Sequence, residues 1–336
     1  MAGLLTEIAP EHDIPGIDDV RAAAARLLGI AVRTPILHAP ALDDMAGGRV
    51  LVKAEPLQRT GSFKFRGAFN RLSLIAPEDR AAGVVACSSG NHAQGVAEAA
   101  RLLGMPATIV MPIDAPAIKR SRTLRSGATV VDYDRTTQDR DAVTRALADE
   151  LGATLVHPYD DAGVIAGQGT VGLEIAEDCI AAGIQPDLVL VPAGGGGLAA
   201  GIGLAISDAM PDVTLVTAEP EGFDDHARSF AAGTHVANDG MAGSLADAIL
   251  TPTPGIRSFA MNKGRYAFGT AVSDDDLLAA VATAANELKL VAEPGGAAAL
   301  AAILARKVDL QGRTAVVVVS GGNIDPAMLA RALGVG

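Results

Sequence analysis

The chain has 336 residues, 49% hydrophobic, 20% charged and 3% aromatic, with 38 glycines, 18 prolines, two cysteines and no tryptophan. That balance excludes a disordered chain and a collagen-like repeat, and the length allows one large domain or two of ordinary size. A net charge of −12 without a basic run excludes a phosphate-backbone partner, while two cysteines, Cys87 and Cys179, exclude a disulfide scaffold or Cys-rich zinc module and suit a reducing cytosol. The acidic segment 1–19 lacks the basic and apolar regions of a signal peptide, and no run approaches the roughly 18–20 apolar residues of a membrane helix. The expectation is a cytoplasmic protein without nucleic-acid or membrane partners.

In chain order, short apolar runs predict strands at 50–54, 83–87, 107–111, 129–133, 188–191, 215–218 and 315–319. Longer Ala/Leu-rich patterns predict helices at 91–103, 139–151, 169–181, 198–210 and 274–288. Most of the strand runs are continuously apolar, as expected of parallel strands buried on both faces. Ser273 with Asp274, Asp275 and Asp276 supplies the cap and first-turn acids of the last helix. Strand–helix alternation implies an open, twisted, mostly parallel α/β sheet, or two of them. A break is expected near 158–161 and an earlier one between 70 and 80, giving a large domain of 1–75 and 160–336 and a small domain of 76–159.

Four segments carry candidate chemistry. An apolar strand runs into Gly194, Gly195, Gly196, Gly197 and Leu198, where bare backbone N–H groups at a helix start can surround a phosphate. The same glycines, read through Ala200 with Glu219 further on, also fit the dinucleotide fingerprint G-x-G-x-x-[GA], and a close-packed turn is the plain alternative. Lys64 stands between Phe63 and Phe65 at the start of a helical pattern; the helix dipole and apolar neighbours both lower the pKa of such an amine, which suits a nucleophile or Schiff-base former. Ser88, Ser89, Gly90, Asn91 and His92 follow the strand at 83–87 and read as an anion site sized for a carboxylate, with helix capping by the serines as the plain alternative and Cys87 assigned to the core. Ser320, Gly321, Gly322 and Asn323 follow the strand at 315–319. A phosphate nest, an amine and a hydroxyl meeting at strand ends describe pyridoxal phosphate better than a dinucleotide.

These motifs, in this order, together with Ile165-Ala166-Gly167-Gln168-Gly169-Thr170, resemble the fold-type II pyridoxal-phosphate enzymes, specifically the threonine/serine dehydratase and serine racemase family. The resemblance implies two α/β domains of the tryptophan synthase β-like type with the cofactor in the cleft between them, a small-molecule amino-acid substrate, and a homo-oligomer, a dimer. It implies that Lys64 forms the imine with the cofactor aldehyde beside Phe63. Gly194, Gly195, Gly196, Gly197 and the Leu198 N–H would hold the phosphate, Asn91 would meet the ring hydroxyl, and Ser320 the ring nitrogen. Ser88, Ser89, Asn91 and His92 would bind the substrate, with Ser89 matching the opposite-face acid/base of racemases. Glu219, the Phe223 carbonyl and Asp225 resemble a divalent-cation site for Mg²⁺, or else Ca²⁺ or Mn²⁺, with an acidic surface turn as the bland alternative. Arg140 matches a racemase-branch arginine able to reach a second carboxylate. Ala248 departs from the glycine many relatives carry near the cofactor, and no C-terminal regulatory domain is expected. The implied activity is β-elimination of water from L-threonine or L-serine, giving a 2-oxo acid and ammonia. A 3-hydroxyaspartate dehydratase and a serine racemase are the rivals; an NAD-dependent oxidoreductase and a non-catalytic binding protein are the remote readings.

Overall fold

Ten strands organise the chain: β1 (Ile36–His38), β2 (Arg49–Ala54), β3 (Val84–Cys87), β4 (Ala107–Pro112), β5 (Thr129–Tyr133), β6 (Thr154–Leu155), β7 (Leu188–Pro192), β8 (Thr214–Pro220), β9 (Tyr266–Val272) and β10 (Thr314–Val319). The computed structural model describes residues 14–115, 117–134, 136–240 and 242–335, so most of the acidic segment at 1–19 lies outside the described residues. The strands form a six-stranded sheet in the order β1-β2-β10-β7-β8-β9 and a four-stranded sheet in the order β5-β4-β3-β6. Among the described residues, β1 is the only one of these strands that pairs antiparallel. Two parallel-sheet-rich α/β domains result.

The continuously apolar strands are continuous because both faces are covered. Val316 and Val318 of β10 pack with the helices Ala162–Ala181 and Gly197–Ala209, while Ala315, Val317 and Val319 pack with Asp274–Leu288 and Ala298–Leu304. Cys179 sits in the first of these clusters.

In the large sheet, β10 is inserted between β2 and β7. The helix after β7, Gly197–Ala209, covers one face, and the helix after β10, Pro326–Ala332, sends Met328 and Leu329 to the other. Such a reversal opens a crevice at the carboxyl ends of the two strands. The small sheet has the matching arrangement, with β3 between β4 and β6.

The helix predicted at 169–181 begins seven residues earlier, as Ala162–Ala181, with Asp161 Oδ1 accepting the Val164 N–H at 2.9 Å. Glycines lower intrinsic helix propensity, yet here they are what lets the helix run between its neighbours. A Cβ on Gly167 would lie 2.6 Å from the Gly67 Cα, and one on Gly201 would lie 2.5 Å from the Gly169 nitrogen. Strands β1, β6 and β9 were not predicted. The first two have three and two residues, and β9 is an edge strand whose middle is half-buried or exposed.

Candidate active site

Lys64 is the first residue of the helix Lys64–Ser73. The chain just before it is stitched to the end of β10: Ser62 bridges Gly321, and the Phe63 N–H donates to the Ser320 carbonyl at 3.1 Å. This places Lys64 and Ser320 on one wall of a cavity of about 240 Å³ between the two domains. The Lys64 Nζ donates to the Pro158 carbonyl at 2.7 Å and stands 5.2 Å from the centre of the Phe63 ring. Burial lowers its pKa to about 8, against the opposing pull of the Glu293 carboxylate. Phe65 contributes less than its position suggests, because its ring lies in the core against Phe69.

Gly194, Gly195, Gly196, Gly197 and Leu198 line the same cavity. Each glycine is sterically required. A Cβ would meet the Ile249 backbone at Gly194 (2.9 Å), the Tyr159 ring at Gly195 (2.2 Å), the His226 ring at Gly196 (2.5 Å) and the Tyr159 carbonyl at Gly197 (2.3 Å), and Gly196 has φ +90°. The number of glycines is therefore accounted for by packing. The anion-binding character lies in the orientation of the peptides: the helix Gly197–Ala209 starts here without a side-chain cap, so its first N–H groups have no acceptor within the helix.

The helix Asn91–Leu103 likewise starts without a side-chain cap. Ser88 does not cap it; its Oγ accepts the Gly90 N–H at 3.0 Å. Ser88, Ser89, Asn91 and His92 all line the cavity. The His92 ring is turned away to the Val156 carbonyl at 3.1 Å and burial lowers its pKa to about 3, so it is neutral. Asn91 is gripped at both ends: its Nδ2 donates to Glu293 Oε1 at 2.6 Å, and its Oδ1 accepts from Asn323 Nδ2 at 2.7 Å. Arg140, at the start of the helix Arg140–Leu151, lines the cavity with its Nε donating to Asp141 at 3.1 Å. Cys87 is half-buried, packing against the core cluster of Val85, Val110, Tyr133 and Ala148 while also lining the cavity, and burial pushes its thiol up to about 11, so it is no nucleophile at neutral pH.

Glu219 and Asp225 do not line this cavity. Both are fully buried. The Glu219 oxygens accept the His226 and Ala227 N–H groups at 2.7 and 2.9 Å, so Glu219 does not face a ribose in the cavity. Asp225 Oδ1 accepts from Asn238 at 2.7 Å, while its buried Oδ2 has no hydrogen-bond partner. Burial raises both carboxyls, Asp225 to about 7 and Glu219 well above the usual range, where the Asp225 charge adds to the effect. The Phe223 N–H closes the turn onto the Pro220 carbonyl at 2.9 Å. Among the described residues no group of three His, Cys, Asp or Glu side chains converges, so a cation here needs the main-chain carbonyl and water as well.

Glu293, Tyr159 and Asp247 line the cavity without having been read from the sequence. Tyr159 and Glu293 come from loops, and Asp247 opens the short 3₁₀ turn Asp247–Ile249. Glu293 sits in Glu293-Pro294-Gly295-Gly296, whose glycines are the sole local signal.

The wall presents two uncapped helix starts, the Lys64 amine and Arg140, against the carboxylates of Glu293 and Asp247. Such a donor-rich cavity suits a ligand with a phosphate, a carbonyl within reach of an amine, and a carboxylate; pyridoxal phosphate with an amino acid fits that description. Residues 27–321 match the family described as pyridoxal-phosphate dependent enzyme. The chain is 46% identical over 308 residues to the L-threo-3-hydroxyaspartate ammonia-lyase of a Pseudomonas species, covering 91% of this chain and 95% of that protein. It is 38% identical over 322 residues to the L-threonine ammonia-lyase of Thermotoga maritima, covering 95% and 78% respectively. Among solved structures it matches maize serine racemase with a TM-score of 0.89 and 34% identity, covering 96% of this chain and 97% of that one.

Proposed function

Since the chain belongs to the fold-type II pyridoxal-phosphate-dependent enzymes, in the threonine/serine dehydratase and serine racemase family, we propose that it is an ammonia-lyase converting L-threonine and L-serine to 2-oxobutanoate and pyruvate with release of ammonia. The observation that carries this reading is the Lys64 amine, lowered to a pKa of about 8, in one cavity with the glycine loop and the Ser88–Asn91 loop. Pyridoxal phosphate, when bound through the amino group of a substrate, supplies an electron-withdrawing ring that acidifies the Cα–H. Lys64 is the residue proposed to bond the cofactor and to carry the Cα proton. Gly194, Gly195, Gly196, Gly197 and the Leu198 N–H hold the phosphate beside Phe63. Ser320 meets the ring nitrogen and Asn91 the ring hydroxyl. Ser88, Asn91 and the uncapped N–H groups at His92 receive the substrate carboxylate. The purified protein should show a near-visible absorption band that borohydride abolishes, and Lys64→Ala should lose both band and turnover; a colourless protein, inert with added pyridoxal phosphate, overturns the reading.

Arg140 favours a second substrate, 3-hydroxyaspartate, because a guanidinium at the cavity wall can take a second carboxylate in a bidentate pair. Arg140→Ala is expected to lower kcat/KM for L-threo-3-hydroxyaspartate by about a hundredfold while changing threonine and serine by less than about threefold. Equal losses on all three would remove Arg140 from specificity.

Ser89 is proposed as the acid/base for the opposite face of the substrate. Ser89→Ala should then lower racemisation of serine far more than elimination, and parallel losses would count against it. Glu219, Asp225 and the Phe223 carbonyl are proposed to hold a divalent cation, Mg²⁺ first and Ca²⁺ or Mn²⁺ as substitutes. The unpartnered, buried Asp225 Oδ2 and the repulsion between two buried carboxylates support it. A chelator should lower Tm and Mg²⁺ restore it; an unchanged Tm would refute the site.

A further inference from the structure

Three successive carbonyls of the glycine loop are held from behind by three different buried side chains. His226 Nε2 donates to the Gly194 carbonyl at 2.9 Å, Ser258 Oγ to that of Gly195 at 2.5 Å, and Asn262 Nδ2 to that of Gly196 at 3.2 Å. All three side chains are 0% exposed. In a trans peptide the carbonyl of one residue and the N–H of the next lie in one plane and point in opposite directions. Fixing the carbonyls of Gly194, Gly195 and Gly196 therefore fixes the N–H groups of Gly195, Gly196 and Gly197, three residues that line the cavity.

His226 is the donor that satisfies the Gly194 carbonyl, but satisfying the acceptor does not account for the side chains at the other two. The Gly195 carbonyl already accepts the Gly255 N–H at 3.0 Å, and the Gly196 carbonyl the Ala200 N–H at 2.8 Å. The added side-chain donor at each sets the tilt of a plane whose acceptor is otherwise partnered. Ser258 is itself fixed, its N–H donating to Asp160 Oδ1 at 3.0 Å while Asp160 Oδ2 accepts the Ile256 N–H at 3.0 Å.

We propose that His226, Ser258 and Asn262 are positioning residues for the cofactor phosphate: they aim the Gly195, Gly196 and Gly197 N–H groups before the phosphate arrives. The proposal rests on the pyridoxal-phosphate reading and deepens it. Preorganised donors gain affinity because the loop need not be ordered on binding.

The test measures dissociation constants for pyridoxal phosphate and for pyridoxal, which lacks the phosphate, with the ³¹P resonance of the bound cofactor. Ser258→Ala and His226→Leu are each expected to weaken pyridoxal phosphate about tenfold, to move the ³¹P resonance, and to change pyridoxal binding less than about twofold. His226→Gln, whose amide N–H reaches the place of Nε2, is expected to stay within about twofold of the parent. Lower melting temperatures with unchanged affinity and unchanged resonance would overturn the proposal, as would equal weakening of both ligands. Should Ser258→Ala fail to fold, the contrast of His226→Leu with His226→Gln decides: rescue by glutamine supports the proposal and no rescue overturns it. A parent protein that takes up neither ligand fails the cofactor reading instead.

Discussion

A lysine ammonium that gives up most of its water without gaining a carboxylate partner is destabilised, and Lys64 is in that position. Its hydrogen bond runs to a neutral carbonyl, and Glu293 offsets the desolvation only in part. The amine must be neutral to attack an aldehyde, so the rate at which cofactor-free protein captures pyridoxal phosphate should rise with pH and reach half its maximum near pH 8, well below the usual lysine value of 10.5. Following the near-visible band after mixing at a series of pH values measures this; a midpoint above pH 10 would show that the amine is solvated. The linkage has a definite sign. Between about 8 and 10.5 the unfolded chain still holds the proton and the folded chain does not, so this residue adds stability to the cofactor-free protein as pH rises through that window. Lys64 was legible in the sequence because its helix start and the Phe63 neighbour are local. Glu293, Tyr159, Ser258 and Asn262 were not, because their roles arise from contacts between loops far apart in the chain. The glycines fall between: their site was legible, while their reason, closeness to Tyr159 and His226, was not.

At the scale of the element, the helix Ala162–Ala181 shows why strands were easier to read than helix ends. A strand covered on both faces is a run of valines and leucines, which needs no knowledge of its neighbours. This helix instead carries Gly163, Gly167, Gly169 and Gly172, each of which lowers intrinsic helix propensity, and a reader of propensities starts it late. Gly167 meets Gly67, Arg66 and Asn70 on the helix headed by Lys64. Gly167→Ala should raise helix propensity by about 1 kcal/mol yet destabilise the protein by about 2 kcal/mol, since the added methyl would lie 2.6 Å from Gly67 Cα and 2.7 Å from the Arg66 carbonyl, neither of which is a flexible tip. Chemical denaturation measures the difference. Gly183→Ala, at φ +65° with open space around it, should cost about 1 kcal/mol from the backbone alone and leave cofactor uptake unchanged. A stabilised Gly167→Ala would mean the two helices can separate freely, and the close packing would then not fix Lys64.

For the molecule as a whole, the cavity exists because two sheets present their carboxyl ends to each other, and polar side chains must hold those ends in register. One relay does so directly. Arg122 donates to Asn323 Oδ1 at 2.8 Å, Asn323 Nδ2 donates to Asn91 Oδ1 at 2.7 Å and to the Thr60 carbonyl at 2.8 Å, and Asn91 donates to Glu293 at 2.6 Å. Arg122 and Asn91 flank strands of the four-stranded sheet; Asn323, Thr60 and Glu293 lie beside the six-stranded one. The relay crosses between the sheets three times, and Asn323 is its centre. Asn323→Ala removes three hydrogen bonds at once without altering any group proposed to bond the cofactor. The expected result is a KM for the amino acid raised about five- to twentyfold, faster amide exchange in the helix Asn91–Leu103, and an unchanged absorption band for the bound cofactor. The split matters because the proposed seat of the substrate carboxylate is the small-sheet loop, whereas the proposed seat of the phosphate is the large-sheet loop. Loosening the join between the sheets should therefore weaken the substrate and spare the cofactor. Loss of the band together with a raised KM would show instead that Asn91 cannot keep its amide orientation without Asn323, and the relay would then belong to the cofactor seat and not to the register of the two domains.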